Sequence, residues 1–355
     1  MDSHDAKKVA CCGMEVSQER AAGIVEWVRG RGRILIVTHD NPDPDSIAAA
    51  VALRHLLLIQ TGQNAVIGFG GIIGRRENLN MVMELEIVLT PISTLDLDQF
   101  DVVCMVDTQP GTGNNSYPAD RKVHLVIDHH PPRAELLQVD WVDVREAYGA
   151  SATILYEYLC SQGIRLNTRL ATGLFYAIKS ETQDLGREWS RADREAYLRL
   201  LPLSNNRILF RIARPQVPGN YFSIFKRAIE NSRIYGPVLV FNLFQIDNPD
   251  MVAELADFML RHEGVIYVLG MGWYQGGEVI SLRTIEPEAK LGVVAREILR
   301  DLGSAGGHGM MAGGQVKPMA EDEHSQRELE LMITRRFIKA LDVEPTPGVA
   351  LVGKD

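Results

Sequence analysis

Seven residues able to hold a cation or move a proton fall at three places in the first 130 positions. His39, Asp43 and Asp45 follow the apolar run RILIVT, Asp107 closes DVVCMVD, and Asp128, His129 and His130 close VHLVIDHH. Each run reads as a short buried strand, and parallel α/β sheets bind ligands beyond the carboxyl ends of their strands. An aspartate in such a position is often only a helix cap, and DHH before Pro131 and Pro132 could open a polar loop. Three clusters on successive strand ends are different, because carboxylates packed together repel unless cations lie among them. Carboxylate and imidazole donors without thiolates suit Mn²⁺, with Mg²⁺, Zn²⁺ or Co²⁺ as alternatives. A pair of such ions about 3.5–4 Å apart would activate a water and polarise a phosphoryl group.

The elements that must position these groups alternate between strand and helix. Ser17 is expected to cap a first helix ending near Gly30, and a helix is expected from Ser46 to Gly62. NAVIGFG reads as a strand, RRENLNMVMEL contains a helix, and SATILYEYLCSQG and NTRLATGLFYAIKSE are helices, the second capped by Asn167. The glycines at 68, 70, 71 and 74 form no dinucleotide fingerprint and read as a turn. A second strand–helix pattern begins at PVLVFNLF and runs through the glycine-rich GSAGGHGMMAGGQV to a last helix near HSQRELELMITRRFIKALD. The fold class is α/β: two α/β domains, the first a mostly parallel sheet flanked by helices, joined by a helical connector. The expected boundaries are a lead-in over 1–16, a first domain over 17–189, a connector over 190–235, a second domain over 236–342 and a tail over 343–355.

The whole chain has 355 residues and a formal net charge of −9, which favours short anionic substrates over long nucleic acid. Its four cysteines form no C-x-x-C pair and fit a reducing compartment. The N-terminus has no long apolar core, and no apolar stretch approaches the length of a membrane span. A soluble, cytoplasmic protein without a membrane partner is expected, and a homodimer is compatible with this reading.

The ordered set His39-Asp40-Asn41-Pro42-Asp43-Pro44-Asp45, Asp107 and Asp128-His129-His130 resembles the first three motifs of the DHH phosphoesterases. Gly306-Gly307-His308-Gly309-Met310-Met311-Ala312-Gly313-Gly314 resembles the glycine-rich signature of their DHH-associated C-terminal domain. The resemblance implies that His39 and Asp43 bind one ion, Asp45 and His129 the other, and Asp107 both. It implies that Asp128 orients a ligand and that His130 faces the substrate. Arg283, Gly306, Gly307 and His308 are its substrate-binding counterparts, although a glycine-rich turn and a solvated strand arginine are the plain alternatives. Trp273 and Tyr274 could stack a base, but core packing accounts for them better.

The chain departs from the family's fourth motif, where an aspartate normally follows a helix. Glu181 stands in that place, with Asp184 three residues on; Glu181 is the preferred metal ligand. Resemblance to the compact nanoRNase and pAp-phosphatase branch implies short oligoribonucleotides or 3′-phosphoadenosine 5′-phosphate as substrate. A RecJ-like single-strand exonuclease, a dinucleotide phosphodiesterase and a pyrophosphatase are alternatives within the fold. A non-catalytic nucleotide-binding module is the alternative of another class.

Overall fold

A computed structural model describes residues 12–316, 322–344 and 346–353. It divides at Pro215 and Gln216 into two compact units. In the first, α1 (Cys12–Val28) precedes strands β1 (Ile34–Val37), β2 (Ala65–Phe69), β3 (Thr90–Pro91), β4 (Val102–Val106), β5 (Leu125–Asp128) and β6 (Trp141–Val144). These form one six-stranded sheet in the order β3-β2-β1-β4-β5-β6. All pairings are parallel, with Ile34 opposite both Ala65 and Val102. The chain steps from β1 out to β3 and then returns to the other side of β1, so β1 and β4 flank the point where strand order reverses. That is where open α/β sheets leave a crevice.

Helices α2 (Pro44–Thr61) and α3 (Arg76–Glu84) are the crossovers after β1 and β2, and α4 (Ser151–Ser161), α5 (Thr168–Glu181), α6 (Arg191–Leu200) and α7 (Asn206–Ala213) follow β6. One face of the sheet, including Ile34, Ile36, Cys104, Val106 and Ile127, packs with buried residues of α1, α2, α4 and α5. The opposite face, with Leu35, Val37, Met105 and Val126, is covered by Tyr117, Val123 and Leu136 from connecting segments. Burial on both faces explains why the strands are apolar at almost every position, each large side chain contributing roughly 1.5–3 kcal/mol. Asn167 caps α5 as expected, its side chain accepting from Leu170 N.

Ser17 does not begin the first helix. The helix already runs from Cys12, so residues 12–16 of the expected lead-in are helical, and the rest of it, 1–11, lies outside the described residues. Ser17 is instead buried, and its hydroxyl donates to Glu157 Oε2 at 2.6 Å.

The second unit begins with α8 (Gly219–Glu230) and contains β7 (Arg233–Tyr235), β8 (Val238–Gln245), α9 (Asp250–Met259), β9 (Tyr267–Tyr274), β10 (Gly277–Thr284), α10 (Leu291–Ile298), β11 (Gly303–His308), β12 (Met311–Val316), α11 (Glu323–Ala340) and β13 (Val349–Ala350). Its seven-stranded sheet runs β11-β12-β10-β9-β8-β7-β13. Only β8 and β9 pair in parallel. The segment expected as a connector is thus shared, α6 and α7 lying in the first unit and α8 in the second. The glycine-rich segment is a hairpin at the sheet edge rather than a turn between helix and strand, and part of the expected tail pairs with β7 as β13. Trp273 is buried in the core, as expected for a packing residue.

Glu278 on β10 has no exposed surface; no described side chain donates to its carboxyl oxygens, and the Gly272 N–H only partly offsets the burial. Burial, reinforced by the charge of Glu330, pushes its carboxyl from an ordinary 4.5 up to about 8. Between those values the folded chain holds a proton that the unfolded chain has released, so this group's effect is to lower stability as pH rises. We expect Glu278→Gln to match wild type near pH 5 and to exceed it near pH 8 by up to about 5 kcal/mol in urea unfolding. Equal pH dependence in the two proteins would contradict a buried, uncompensated carboxyl.

Candidate metal centre

The carboxyl ends of β1, β4 and β5 bring the predicted groups together. Asp43 is the N-cap of α2: its backbone is extended, and its Oδ1 accepts from Ser46 N at 3.0 Å. The two prolines flanking Asp43 favour this entry, because the residue before a proline is driven away from helical geometry. Asp45 lies in the first helical turn and is buried. Its two oxygens accept from Ser151 N at 2.7 Å and Ala152 N at 2.8 Å, at the start of α4. A helix N-terminus favours a negative charge there.

Asp107 stands one residue beyond β4 with φ +57° and is buried. A non-glycine residue in the left-handed region is uncommon, and such backbone concentrates at functional sites. Its two oxygens face different partners. Asp107 Oδ2 lies 3.6 Å from His39 Nε2, and Oδ1 lies 3.4 Å from His129 Nε2 and accepts from Ser151 Oγ at 3.0 Å. His39 Nε2 is also 3.5 Å from Asp43 Oδ1, and His129 Nε2 is 3.9 Å from Asp45 Oδ2.

The histidines are aimed by their other nitrogens. His39 Nδ1 donates to the Asp40 carbonyl at 2.8 Å, and His129 Nδ1 donates to the Tyr148 carbonyl at 3.1 Å. Each bond leaves Nε2 toward the carboxylates, the arrangement typical of histidine ligands. His130 Nδ1 is held by Asp128 Oδ1 at 2.8 Å. Asp128 also accepts from His129 N and from Gln109 Nε2, so it orients both histidines. Within 4.8 Å of one another lie single ligand atoms from His39, Asp43 and Asp107, and from Asp107, His129 and His130.

The titration behaviour follows from this crowding. Burial, then the charges of Asp107, Glu181 and Asp43, raise the Asp45 carboxyl well above its ordinary value. Burial opposes charge on His39, but hydrogen bonding to Asp107 and Asp43 outweighs it and raises the ring well above 6.5. For His129 burial is again opposed, by the charges of Asp107 and Glu181, and the net shift is upward. His130 is raised against burial by its bond to Asp128, which is itself held at about 2 against its own burial, chiefly by that bond. The donor set therefore fits divalent cations: buried oxygens with excess negative charge, and imidazole nitrogens turned into it.

The positions predicted elsewhere are distributed differently. Glu181, the last residue of α5, acts electrostatically on both Asp45 and His129. Asp184 is exposed, pairs with Lys179 and accepts from Tyr197 OH at 2.9 Å. In the second unit, Arg283 is buried; its Nε pairs with Asp257 and its Nη1 donates to Ser281 Oγ and the Leu282 carbonyl. Gly306 and Gly307 lie on β11, and the side chain of His308 lies outside the described residues.

Several positioning residues escaped sequence reasoning. Gln109 is fully buried; it donates to Asp128 and to the carbonyls of His130 and Pro131, while its Oε1 accepts from Arg133 N. Asp40 binds Ser116 through N and Oγ, and Asn41 Oδ1 accepts from Ile72 N. A Cβ on Gly70 would collide with the Asp40 carboxylate, and one on Gly71, where φ is +66°, with Asn41. That contact was the available signal: two glycines after the neighbouring strand leave room for this loop. Arg145 pairs with Asp143 and Glu157 and donates to Tyr148 OH, which fixes the turn whose carbonyl aims His129.

Residues 33–178 match the DHH family, N-terminal domain. Over that stretch, less than half of its length, the chain is similar to this family. The match spans β1 to β6 and most of α5, and so includes every predicted group of the metal centre except Glu181. An uncharacterised protein of Methanocaldococcus jannaschii is 32% identical over 321 residues, covering 88% of this chain and 64% of the relative. The chain thus spans less than two thirds of that relative's length. An exopolyphosphatase-related protein from Bacteroides fragilis shares the fold, with a TM-score of 0.72, 14% identity, and coverage of 91% of this chain and 98% of its own. RecJ from Thermus thermophilus in complex with Mn²⁺ aligns at a TM-score of 0.49 and 14% identity, over 93% of this chain and 55% of RecJ.

Because the histidines are raised by their carboxylate neighbours, a cation must displace protons to bind. Mn²⁺ binding should release protons near pH 6 and tighten as pH rises toward 8; calorimetry in buffers of different ionisation enthalpy reads this, and a pH-independent affinity would contradict it. Metal counting should further separate the two acids at the end of α5: Glu181→Ala loses an ion, whereas Asp184→Ala keeps the wild-type number.

Proposed function

We propose that this chain is a metal-dependent phosphoesterase hydrolysing short phosphorylated nucleotides: oligoribonucleotides of a few residues, or 3′-phosphoadenosine 5′-phosphate. The observation that carries the reading is the division of Asp107, with one oxygen toward His39 and the other toward His129. His39 and Asp43 would hold one ion, Asp45, His129 and Glu181 the second, and Asp107 both. Mn²⁺ suits this mixed oxygen and nitrogen set. Such a pair, when bound, polarises a phosphoryl oxygen and lowers the pKa of a water molecule.

The chain's own groups do the remaining work. Asp45 and Asp107 are preorganised by α4 through Ser151 and Ala152, which removes reorganisation from the reaction. Asp128 holds His130 at Nδ1 and favours its protonated form, so His130 can give a proton from Nε2 to the leaving oxygen. In the second unit, Arg283, Gly306, Gly307 and His308 are the proposed substrate contacts, with Asp257 fixing the direction of the guanidinium.

The test is release of phosphate or mononucleotide from 3′-phosphoadenosine 5′-phosphate, the dinucleotide pApA and pyrophosphate, with Mn²⁺ and with chelator. Mn²⁺-dependent turnover of either nucleotide is expected, and Asp107→Ala should lower it at least 100-fold, about 2.7 kcal/mol in barrier. Cleavage of pyrophosphate alone would keep the site and replace the substrate, a result in line with the exopolyphosphatase-related description of the Bacteroides fragilis protein. Nucleotide-induced thermal stabilisation without turnover of any of the three would instead identify a binding module.

A further inference from the structure

Charge is unevenly spread along this acidic chain. Residues 191–214, which hold α6 and α7, carry six arginines and two acidic residues, whereas the chain as a whole is −9. On α7, Ile208, Leu209 and Ile212 turn into the core of the first unit. Arg207, Phe210, Arg211 and the C-cap residue Arg214 follow at intervals of three and four, so they share the opposite face. All four are exposed, Phe210 by 58%.

These residues are not equally committed. Arg211 is structural: its side chain pairs with Glu84 on α3 at 2.6 Å, and its carbonyl accepts from Asn80 Nδ2 at 3.0 Å. Arg207 and Arg214 have no acidic partner among the described residues, and the Arg214 guanidinium lies 5.0 Å from the Phe210 ring centre. The two Arg211 contacts also give the direction. Helical side chains lean toward the N-terminus and carbonyls point toward the C-terminus, so α7 runs from the Glu84 end of α3 toward its Asn80 end. Asn78, earlier still on α3, donates to the Pro42 carbonyl at 3.3 Å, inside the loop that carries His39 and Asp43. The basic stripe therefore leads toward the metal-centre loop within the same unit.

We propose that this face of α7 docks a single-stranded oligonucleotide, with phosphates on Arg207 and Arg214 and a base stacked on Phe210. Guanidinium groups without a carboxylate partner, one of them over one face of an exposed ring whose other face is open to a base, are what a single strand requires. A membrane surface fits less well, because the apolar side of α7 is already buried and one ring offers little to insert. The stripe lies beyond the residues matched to the DHH family, so that match does not assign it. The inference rests on the reading of a nucleotide-acting centre but concerns binding, not hydrolysis.

Binding of the full chain to a labelled single strand of about 12 nucleotides, in chelator and across a salt series, tests it apart from turnover. Arg207→Ala with Arg214→Ala should weaken binding at least tenfold at low salt. It should also lower the slope of log affinity against log salt by roughly 1.4, about 0.7 for each lost phosphate contact. Phe210→Ala should weaken binding several-fold with the slope unchanged. The double variant should turn over pApA at the wild-type rate. A wild-type affinity and slope in the double variant overturns the proposal. So does loss of pApA turnover in that variant, or wild-type binding to phosphatidylserine vesicles but not to the oligonucleotide. If the wild-type protein hydrolyses nothing yet the double variant loses oligonucleotide binding, the surface stands and the proposed activity falls.

Discussion

The crowding of buried carboxylates around Asp107 is the constraint on which the rest of the first unit depends. Asp43, Asp45 and Glu181 all act on one small volume, in which Asp45 and Asp107 themselves are buried and poorly screened by water. The chain answers with separate devices. Asp45 is placed on the N-terminal amides of α4, Asp43 caps α2, and Asp107 divides its oxygens between two histidines. Each removes some repulsion, but the histidines can do so only by holding protons, so a cation binding there must take the place of those protons.

Such a centre needs a rigid frame, and the frame reaches well beyond the ligands. Tyr148 supplies the carbonyl that aims His129, and its turn is held by Arg145, which is itself held by Asp143 and Glu157. Glu157 in turn accepts from Ser17 on α1. A second support comes from Asp193, whose carboxylate accepts from Gly149 N, Ser190 N and Thr153 Oγ1, tying α6 to the start of α4. The helix before the first strand and the helices after the last one thus brace opposite sides of one turn. Buried ion networks of this kind add little net stability, but they fix geometry, which is what ligand placement requires.

The division between what could and could not be read from the sequence follows from this. His39, Asp43, Asp45, Asp107, His129 and His130 were legible because each follows a continuous apolar run, and strand ends in a parallel sheet converge. Gln109, Ser151 and Arg145 were not, since their partners are distant in sequence and a lone glutamine, serine or arginine looks like any surface residue. Ser17 was misread for a related reason: a serine before an apolar-periodic segment is a good cap, and only the partner Glu157, 140 residues away, shows otherwise. The β11–β12 hairpin was hidden because glycine carries no side-chain pattern, so period-two alternation cannot be seen there.

The segment after α5 shows how backbone, rather than residue type, decides between two candidate ligands. Aspartate and glutamate offer the same chemistry, and Asp184 is the closer match by type to a family that places an aspartate there. Yet Gln183, Asp184 and Leu185 all have positive φ, a run that α-helical or extended chain does not permit. It reverses the chain directly after the helix, with Asp184 N bonded back to the Lys179 carbonyl and Leu185 N to Thr182 Oγ1. Asp184 is thereby directed to Lys179 and Tyr197 at the surface, while Glu181, still on the last turn of α5, acts electrostatically on Asp45 and His129. In the proposed function it is therefore the longer side chain on the regular helix, and not the one on the turn, that is assigned to the ion.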